Sequence, residues 1–409
     1  MSIPGKTAAS GSIQLYEMVD WVSWILEAVY SYGHLIGASN FEFSWQTGRV
    51  FTAKSTTFYA IAINSLMVIL YSYQWIGPTN EMNLVFGKEN QLHECVVIII
   101  TGMRISGGLV TVLNRWRQRS QIMDLTRNVL RLFLNRPQPR KMARWRISTK
   151  LLTGFVTDLL QVIITLDAVG RVNSQFYMGM ALQFWMSAIL NLAVSQHYLI
   201  MLLILTQYQQ LNCELRQVVD ESRELSRNPP RQGVFMTRCC SLADRLESIA
   251  QLQSQLQSIV HQSDRVFGVQ GITVYGGYYM TMVATAYLTY SILKNGYEEM
   301  HMTFKAVILS YTWWLVYYLD GALSMFVIFF VLDEHKKMMV LLEERTLFAA
   351  DLDVRLEESY ESFQLQVTRN PFKMEVMKLY EINRSRTMAM FASFITHSIY
   401  LIQYDMENF

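Results

Sequence analysis

Four charged residues interrupt long apolar runs of the sequence, namely Arg104, Asp158, Asp167 and Asp320. An ionised side chain is costly in hydrocarbon, so such residues face protein or water and often mark a functional site. They predict a polar cavity or a buried ion pair inside a bundle of helices. Arg104 and Asp320 are the candidates for lining a site, whereas an internal salt bridge stays open as the alternative for Asp167.

Aromatic residues add a second feature to this candidate site. Tyr311, Trp314 and Tyr318 fall on one helical face at spacings of three and four residues. Rings with polar handles predict a pocket for a small, mostly apolar organic ligand that a few hydrogen bonds orient. The predicted ligand-binding residues are Arg104, Gln183, Trp185, Tyr287, Tyr311, Trp314, Tyr318 and Asp320. An aromatic belt at a membrane interface is the alternative interpretation of these rings.

The last apolar stretch carries a single polar stripe. Ser393, Thr396, Tyr400 and Gln403 recur along it every three or four residues. A helix with one wet face suits the lining of an ion pathway, and uncharged hydroxyls and amides suit weak, non-selective passage. Hydrogen bonding to neighbouring helices is the alternative explanation of the stripe.

The composition of the chain indicates which kind of secondary structure positions these residues. Of the 409 residues, 51% are hydrophobic and 17% are charged, whereas a soluble domain has about 25% charged residues. The net charge of +2 provides no basic field for nucleic acid. The four cysteines have no metal-site or disulfide-framework spacing, and no cofactor is predicted. A helical membrane protein remains.

Seven stretches are long and apolar enough to cross about 30 Å of hydrocarbon as helices. They are Thr57–Tyr73, Cys95–Trp116, Leu151–Gly170, Phe176–Leu205, Gly268–Leu293, Ala306–Leu332 and Thr387–Tyr404. A further stretch, Trp21–Ala38, contains Glu27 and flanking aromatic residues that better suit an interfacial or re-entrant helix. The sequence therefore predicts an all-α polytopic membrane protein with seven transmembrane helices.

Basic residues orient these spans. The segment 117–150 is rich in Lys and Arg and has Asp124 as its only acid, which is typical of a cytosolic loop. Alternation then predicts a cytosolic N-terminus and an extracellular C-terminus. The predicted division is 1–56 as a cytosolic N-terminus with an interfacial or re-entrant helix, 57–206 as the first four spans with the basic loop, 207–267 as a cytosolic helical extension, 268–332 as the fifth and sixth spans, 333–386 as a second cytosolic segment and 387–409 as the last helix.

An apolar stripe marks one helix of the cytosolic extension. Its residues follow the helical period, and they are Leu246, Ile249, Leu252, Leu256 and Ile259. Pro229 and Pro230 are expected to break the helix that precedes it. The stripe predicts packing either in an assembly of several subunits or within one subunit.

The end of the last span resembles the signature of the insect gustatory receptor family. That signature is Thr-Tyr, five hydrophobic residues and Gln-Phe, and here the order is Thr396-His397, five residues, then Gln403-Tyr404. Thr and Gln match at the right separation, whereas His397, Ser398 and Tyr404 depart from the pattern. The segments 37–43 and 208–212 also resemble divergent fly members, many of which are associated with bitter taste.

This resemblance implies a ligand-gated, non-selective cation channel for a small organic tastant, without enzymatic activity, in the plasma membrane of a sensory neuron dendrite. It implies a homotetramer, or a heterotetramer with related receptors, embedded in membrane lipid. Four copies of the last span would surround the pore, each subunit would have its own pocket between the second and sixth spans, and the cytosolic helices would form an anchor. The implied pore and gate residues are Ser393, Thr396, His397, Tyr400, Gln403 and Tyr404.

Three other classes of membrane protein are weaker interpretations. A G-protein-coupled receptor also has seven spans, but Cys95 has no predicted extracellular disulfide partner and no acidic-Arg-aromatic triplet ends the third span. A secondary transporter would tend to show internal repeats and interrupted helices. An intramembrane enzyme would need a catalytic motif such as His-Glu-x-x-His, which the sequence lacks.

Overall fold

The computed structural model of the chain describes residues 24, 27–44, 49–76, 91–135, 139–168, 174–296, 303–348, 352–377 and 380–408. Most of the predicted N-terminal segment before residue 27 therefore lies outside the described residues. The described part of the predicted stretch Trp21–Ala38 is helical over residues 27–35. It ends at Gly37, whose φ of 71° is a left-handed conformation that glycine adopts without strain.

Long helices dominate the fold, and each begins or ends near a change from apolar to polar sequence. They are α1 (Lys54–Ile76), α2 (Gln91–Arg117), α3 (Arg119–Asn135), α4 (Pro139–Ala168), α5 (Ser174–Arg227), α6 (Gln232–Asn295), α7 (Phe304–Glu343), α8 (Val354–Arg369) and α9 (Arg384–Asn408). A 3₁₀ turn over Glu344–Leu347 follows α7. The break between α5 and α6 falls at Pro229 and Pro230, as predicted.

Each of the seven predicted spans falls within one of these helices, apart from residues 169 and 170, which lie outside the described part. Within the described residues, the helical segments that are long and apolar enough to cross a membrane are Lys54–Tyr73, Arg144–Asp167, Met178–Arg227 and Phe304–Leu347. Three helices that contain predicted spans, α2, α6 and α9, are not among them. Those three carry more polar residues, including Arg104 and the polar stripe of the last helix.

Two features differ from the sequence prediction. The predicted basic loop contains a helix, α3, because its apolar residues recur on one face; Leu125, Leu130 and Leu132 are buried. The chain is also not entirely helical. Strands β1 (Glu42–Ser44) and β2 (Arg49–Phe51) pair antiparallel, and so do β3 (Glu375–Val376) and β4 (Tyr380–Glu381). Strands of two or three residues are too short to give a periodic signal in sequence.

The chain divides into two compact units. Unit 1 comprises Met1–Gln196, Val269–Ala322 and Met388–Phe409, and unit 2 comprises His197–Gly268 and Leu323–Thr387. In unit 1, Met67 of α1 packs against Leu182 and Met186 of α5. The close approach of α2 to α5 in this unit requires glycine at position 108, because a Cβ on Gly108 would lie 2.6 Å from Cβ of Met186 and 3.0 Å from its Cα.

Unit 2 has its own apolar core. The predicted stripe of α6, from Leu246 to Ile259, is buried within this single chain. The stripe therefore packs within one subunit, which is one of the two alternatives that the sequence left open. Tyr360 and Phe363 of α8 are also nearly fully buried in this unit. A row of amides joins these helices, in which Gln366 donates to Oε1 of Gln253 at 2.9 Å.

Candidate functional site

The candidate site of unit 1 is centred on Arg104, which α2 presents to aromatic rings of α7. The Cζ atom of Arg104 lies 4.4 Å from the ring centroid of Trp313 and 5.7 Å from that of Tyr317. Those two rings stack on each other at 5.1 Å with an angle of 11° between their planes. The ring of Tyr278 of α6 lies 4.6 Å from that of Tyr317, centroid to centroid. The guanidinium is therefore held over a stack of rings, which is a cation–π arrangement.

Arg104 also lines two recesses. The first is lined by Ile100, Met103, Arg104, Leu190, Asn191, Val194, Thr273, Val274, Gly277, Tyr278, Met280, Thr281 and Tyr317. The second is lined by Arg104, Thr157, Asp158, Gln161, Phe184, Ser187, Leu190, Asn191, Trp313 and Tyr317. Both walls combine rings with a few polar groups.

The carboxylate of the second recess is already engaged. Asp158 accepts a hydrogen bond from Oη of Tyr32 at 2.7 Å and one from Nδ2 of Asn191 at 2.8 Å. Asn191 also lines both recesses. These bonds connect α4, α5 and the helical residues 27–35, and they fix the position of the acid.

Asp320, which the sequence grouped with Arg104, lies in an ion pair with a different residue. Nζ of Lys150 lies 2.5 Å from Oδ2 of Asp320, and Thr153 donates to Oδ1 at 2.7 Å. Lys150 is fully buried. A ligand-binding role for Asp320 stays a prediction. For Asp167, the structure shows the predicted alternative, an ion pair with Lys305 at 3.1 Å.

The predicted aromatic face of α7 makes other contacts. Tyr311 and Trp314 meet edge to face at 5.1 Å, and Tyr318 exchanges a hydrogen bond with Thr285 at 2.9 Å. Neither recess is lined by any of these three residues. The rings under Arg104 are instead Trp313 and Tyr317, which the sequence also places four residues apart.

The remaining predicted pocket residues are divided between different places. Trp185 of α5 donates from Nε1 to the carbonyl of Ile36 at 3.1 Å. Tyr287 of α6 is fully buried and donates to Oδ1 of Asp405 at 3.0 Å. Gln183 is partly buried on α5 and lines neither recess. The structure thus brings only Arg104 of the predicted set to the two recesses.

The last helix, α9, is tied to α6 at two levels. Oη of Tyr279 lies 2.7 Å from Nδ1 of His397 and 3.0 Å from Oγ of Ser393. Asp405 accepts from Tyr287 and forms an ion pair with Lys294 at 3.0 Å. Between these levels, Leu401 and Ile402 pack against Val96, Ala284 and Tyr287. One face of α9 is therefore fixed to its neighbours in the same chain.

Of the six predicted pore residues on α9, Ser393 and His397 hydrogen-bond to Tyr279 of α6, and the other four are exposed. Thr396, Tyr400, Gln403 and Tyr404 are exposed, with 65% of Tyr400 and 54% of Tyr404 accessible. The polar stripe is therefore split, because Ser393 bonds to α6 and the other members face outward. Asp405 is not among the residues predicted from sequence, although it directly follows Gln403 and Tyr404. Lys150 was predicted to belong to the basic loop, since nothing in the local sequence connects it with Asp320.

The long apolar helices, with recesses lined by Arg104 between them, define the class of this protein, which is a helical membrane protein with an internal candidate site. Within that class, the chain belongs to the 7tm chemosensory receptor family, whose family model matches residues 26–408. This family is one of receptors rather than enzymes.

Similar proteins support this assignment. The chain is 54% identical over 391 residues to "Putative gustatory receptor 36c" of Drosophila melanogaster, which covers 96% of this chain and 100% of the relative. It is 49% identical over 392 residues to "Putative gustatory receptor 36a" of the same organism, with the same coverage. The predicted resemblance to insect gustatory receptors is confirmed.

The fold is similar to a solved structure. The insect olfactory receptor OR5 from Machilis hrabei, in a complex with eugenol, matches with a TM-score of 0.64 and 11% sequence identity. The match covers 95% of this chain and 100% of that one. At this identity the likeness concerns the fold, and it confirms the predominantly helical architecture.

Proposed function

We propose that this chain is a taste receptor that acts as a ligand-gated, non-selective cation channel for small organic tastants of the bitter kind. Its family and the names of its relatives support the receptor role. The complex of the related fold with eugenol supports a small organic ligand. The proposed location is the plasma membrane of a sensory neuron dendrite.

In this proposal, seven helices cross the membrane, namely α1, α2, α4, α5, α6, α7 and α9. The agreement of seven predicted spans with these helices supports the count. The N-terminus lies in the cytosol and the C-terminus outside, as the basic segment 117–150 favours. Unit 2 nearly coincides with the predicted cytosolic segments 207–267 and 333–386, which supports a separate cytosolic body.

The observation that carries the channel function is the two-sided character of α9. One side is fixed to α6 through Tyr279, Tyr287 and Asp405. The other side exposes hydroxyls and an amide on a helix of 25 residues. We assign the exposed side to a central pore surrounded by four copies of α9, from one receptor or from related receptors.

Opening requires the ligand to bind the open state more tightly than the closed state. Moving the ratio of states from 1:99 to 99:1 takes about 5.5 kcal/mol of differential binding. With one pocket in each of four subunits, each pocket needs to supply about a quarter of that free energy. A recess beside Arg104 is the proposed pocket, because Arg104, Trp313 and Tyr317 join the two helices α2 and α7 there.

The test is whole-cell current from cells that express this chain alone or with related gustatory receptors, under a panel of bitter organic compounds. Gln403→Ala is the test variant, and Ile395→Ala is its control, because Ile395 is exposed on α9 outside the polar stripe. We expect an evoked cation current without G-protein signalling, changed by Gln403→Ala and unchanged by Ile395→Ala. A response that needs G-protein signalling and has no conductance of its own would overturn the channel function.

A further inference from the structure

We infer that Arg104 makes this receptor select ligands with an acidic or hydrogen-bond-accepting oxygen, above all small aromatic carboxylates, and reject protonated amines. The inference rests on the proposed function for the existence of a ligand, and it names the chemical class of that ligand. It assigns the first recess, the one lined by both Arg104 and Gly277, as the place where the ligand's oxygen is held.

The first step is that the donors of Arg104 are unused. The guanidinium contacts aromatic rings rather than acceptors, since Trp313 and Tyr317 lie near it. Among the residues that the structure describes, no carboxylate or carbonyl accepts a hydrogen bond from it. A guanidinium has five N–H donors in a planar fork that fits a carboxylate. Arg104 therefore carries an unpaired charge and an unfilled set of donors at the wall of a recess.

The second step is that none of the described residues lining the first recess is an acid. Its polar lining consists of one cation, one amide and hydroxyls, and these residues are Arg104, Asn191, Thr273, Tyr278, Thr281 and Tyr317. Asp158 lines only the second recess and already accepts bonds from Tyr32 and Asn191. Asp320 is paired with Lys150. A ligand in the first recess therefore meets a positive end, which attracts an acidic oxygen and repels an ammonium group.

The third step concerns the rest of the ligand. Apolar side chains and the rings of Tyr278 and Tyr317 make up most of the other lining of the first recess. A would-be Cβ on Gly277 has nothing within 4 Å, so there is free space beside that glycine. The lining thus places apolar side chains and aromatic rings beside one charged group, which matches the chemistry of an aromatic ligand that carries an acidic oxygen. Charge-assisted hydrogen bonds are about twice as strong as neutral ones, so the charged end dominates selectivity.

The test compares three probes with one carbon skeleton, which are cinnamate, cinnamamide and cinnamylamine. The full chain is placed in lipid nanodiscs, and dissociation constants come from saturation-transfer NMR with competition. We expect cinnamate to bind at least about tenfold more tightly than cinnamylamine, with cinnamamide between them. Arg104→Gln should weaken cinnamate binding at least about tenfold and leave the amine unweakened. Arg104→Lys should fall between, because it keeps the charge and loses the fork.

Two further variants guard against a trivial loss of fold. Arg131→Gln removes an exposed arginine of α3 and should leave all three dissociation constants unchanged. Gly277→Leu fills the first recess without touching any charge and should also abolish cinnamate binding. The inference is overturned by equal or tighter binding of cinnamylamine to the wild type, by failure of cinnamate to bind at all, or by a carboxylate preference that survives Arg104→Gln.

Currents from the same variants separate this inference from the proposed function. If bitter compounds open the channel equally well in wild type and Arg104→Gln, the channel stands and the assignment of Arg104 is wrong. If cinnamate binding depends on Arg104 while no compound evokes a current, the assignment stands and the channel function is wrong.

Discussion

Unit 1 places two basic side chains among its helices in opposite ways. Lys150 is fully buried and pairs with Asp320, whose other oxygen accepts from Thr153. Arg104 has rings of Trp313 and Tyr317 against it and, in the part of the chain that the structure describes, no acid within ion-pair distance. The first charge is balanced by the protein itself. The second has no such partner among the described residues, and we infer that it is directed to a ligand, so the comparison separates a structural charge from a proposed ligand-binding one.

Unit 2 shows a third way to place a charge in a folded interior. Asp264 on α6 lies near Glu375 of β3, and burial raises the pKa of its carboxyl to about 7, with a further contribution from the negative charge of Glu375. Among the described residues, no basic group forms an ion pair with it. Here a proton takes the place of an ionic partner. Each of the three sites predicts a different response when its charged residue is replaced.

The largest expected effect is that of Lys150→Met. Removing one partner of a buried ion pair leaves an uncompensated charge and costs about 3–5 kcal/mol, so the variant should lose most of its folded protein. The measurement is the monodisperse yield and the apparent melting temperature in detergent. The double variant Lys150→Met with Asp320→Leu should recover most of the loss, because no charge is then stranded. An unchanged melting temperature in the single variant would contradict a structural ion pair.

The second effect is the pH dependence of Asp264. In the folded protein its pKa is about 7, and in the unfolded chain it is about 3.9. Between about pH 4 and about pH 7, the carboxyl of Asp264 is protonated in the folded state and ionised in the unfolded chain. Its contribution to folding stability is therefore complete below about pH 4 and is lost as the pH rises through about 7. Wild-type melting temperature should therefore fall by several degrees from pH 5 to pH 8.

Asp264→Asn isolates that contribution. The variant cannot ionise, so its melting temperature should fall less over the same interval and exceed the wild-type value at pH 8. Asp244→Asn is the control, because Asp244 pairs with Arg355 at an exposed position and surface pairs contribute little. Parallel pH curves for wild type and Asp264→Asn would show that the carboxyl is not the group responsible.

A third effect contrasts packed space with open space inside unit 1. A Cβ at Gly108 would collide with the backbone of Met186, whereas a Cβ at Gly277 would meet nothing within 4 Å. We expect Gly108→Ala to destabilise by about 1–3 kcal/mol through overpacking. Gly277→Ala should stabilise by about 0.5–1 kcal/mol, since alanine is the better helix former. Equal melting temperatures for Gly108→Ala and Gly277→Ala would contradict the conclusion that Gly108 lies in a tightly packed helix interface and Gly277 lies beside open space.

The same residues show how far the sequence leads. Long apolar runs predicted the helices, and Pro229 with Pro230 predicted the break before α6, because these signals are local. Periodicity also predicted the stripe of α6. Periodicity does not determine which face of a helix packs against a given neighbour. Tyr311 and Trp314 form one face of α7, and Trp313 and Tyr317 form another at the same spacing, so sequence alone could not choose which face meets Arg104.

The pairing of Asp320 shows a second limit. Lys150 and Asp320 are 170 residues apart, and the sequence placed the lysine in a basic loop because its neighbours are basic. A single chain without coupled substitutions contains no signal that joins such a pair. Asp405 was not predicted for a simpler reason, because the family signature ends at the preceding residue and assigns no role to the acid.

The smallest expected effect on stability is that of Arg104→Met. This variant is also the sharpest test of the contrast between the paired charge of Lys150 and the charge of Arg104. Arg104 has no ionic partner to strand, and methionine keeps an unbranched side chain over the rings of Trp313 and Tyr317. The substitution loses about 0.5–2 kcal/mol of cation–π attraction and gains a comparable amount by removing an unpaired charge from the recess. The apparent melting temperature without ligand should therefore stay within about two degrees of the wild-type value, while cinnamate no longer raises it. A loss as large as that of Lys150→Met would place Arg104 in the framework of the fold, and its charge would then be structural in the same sense as that of Lys150.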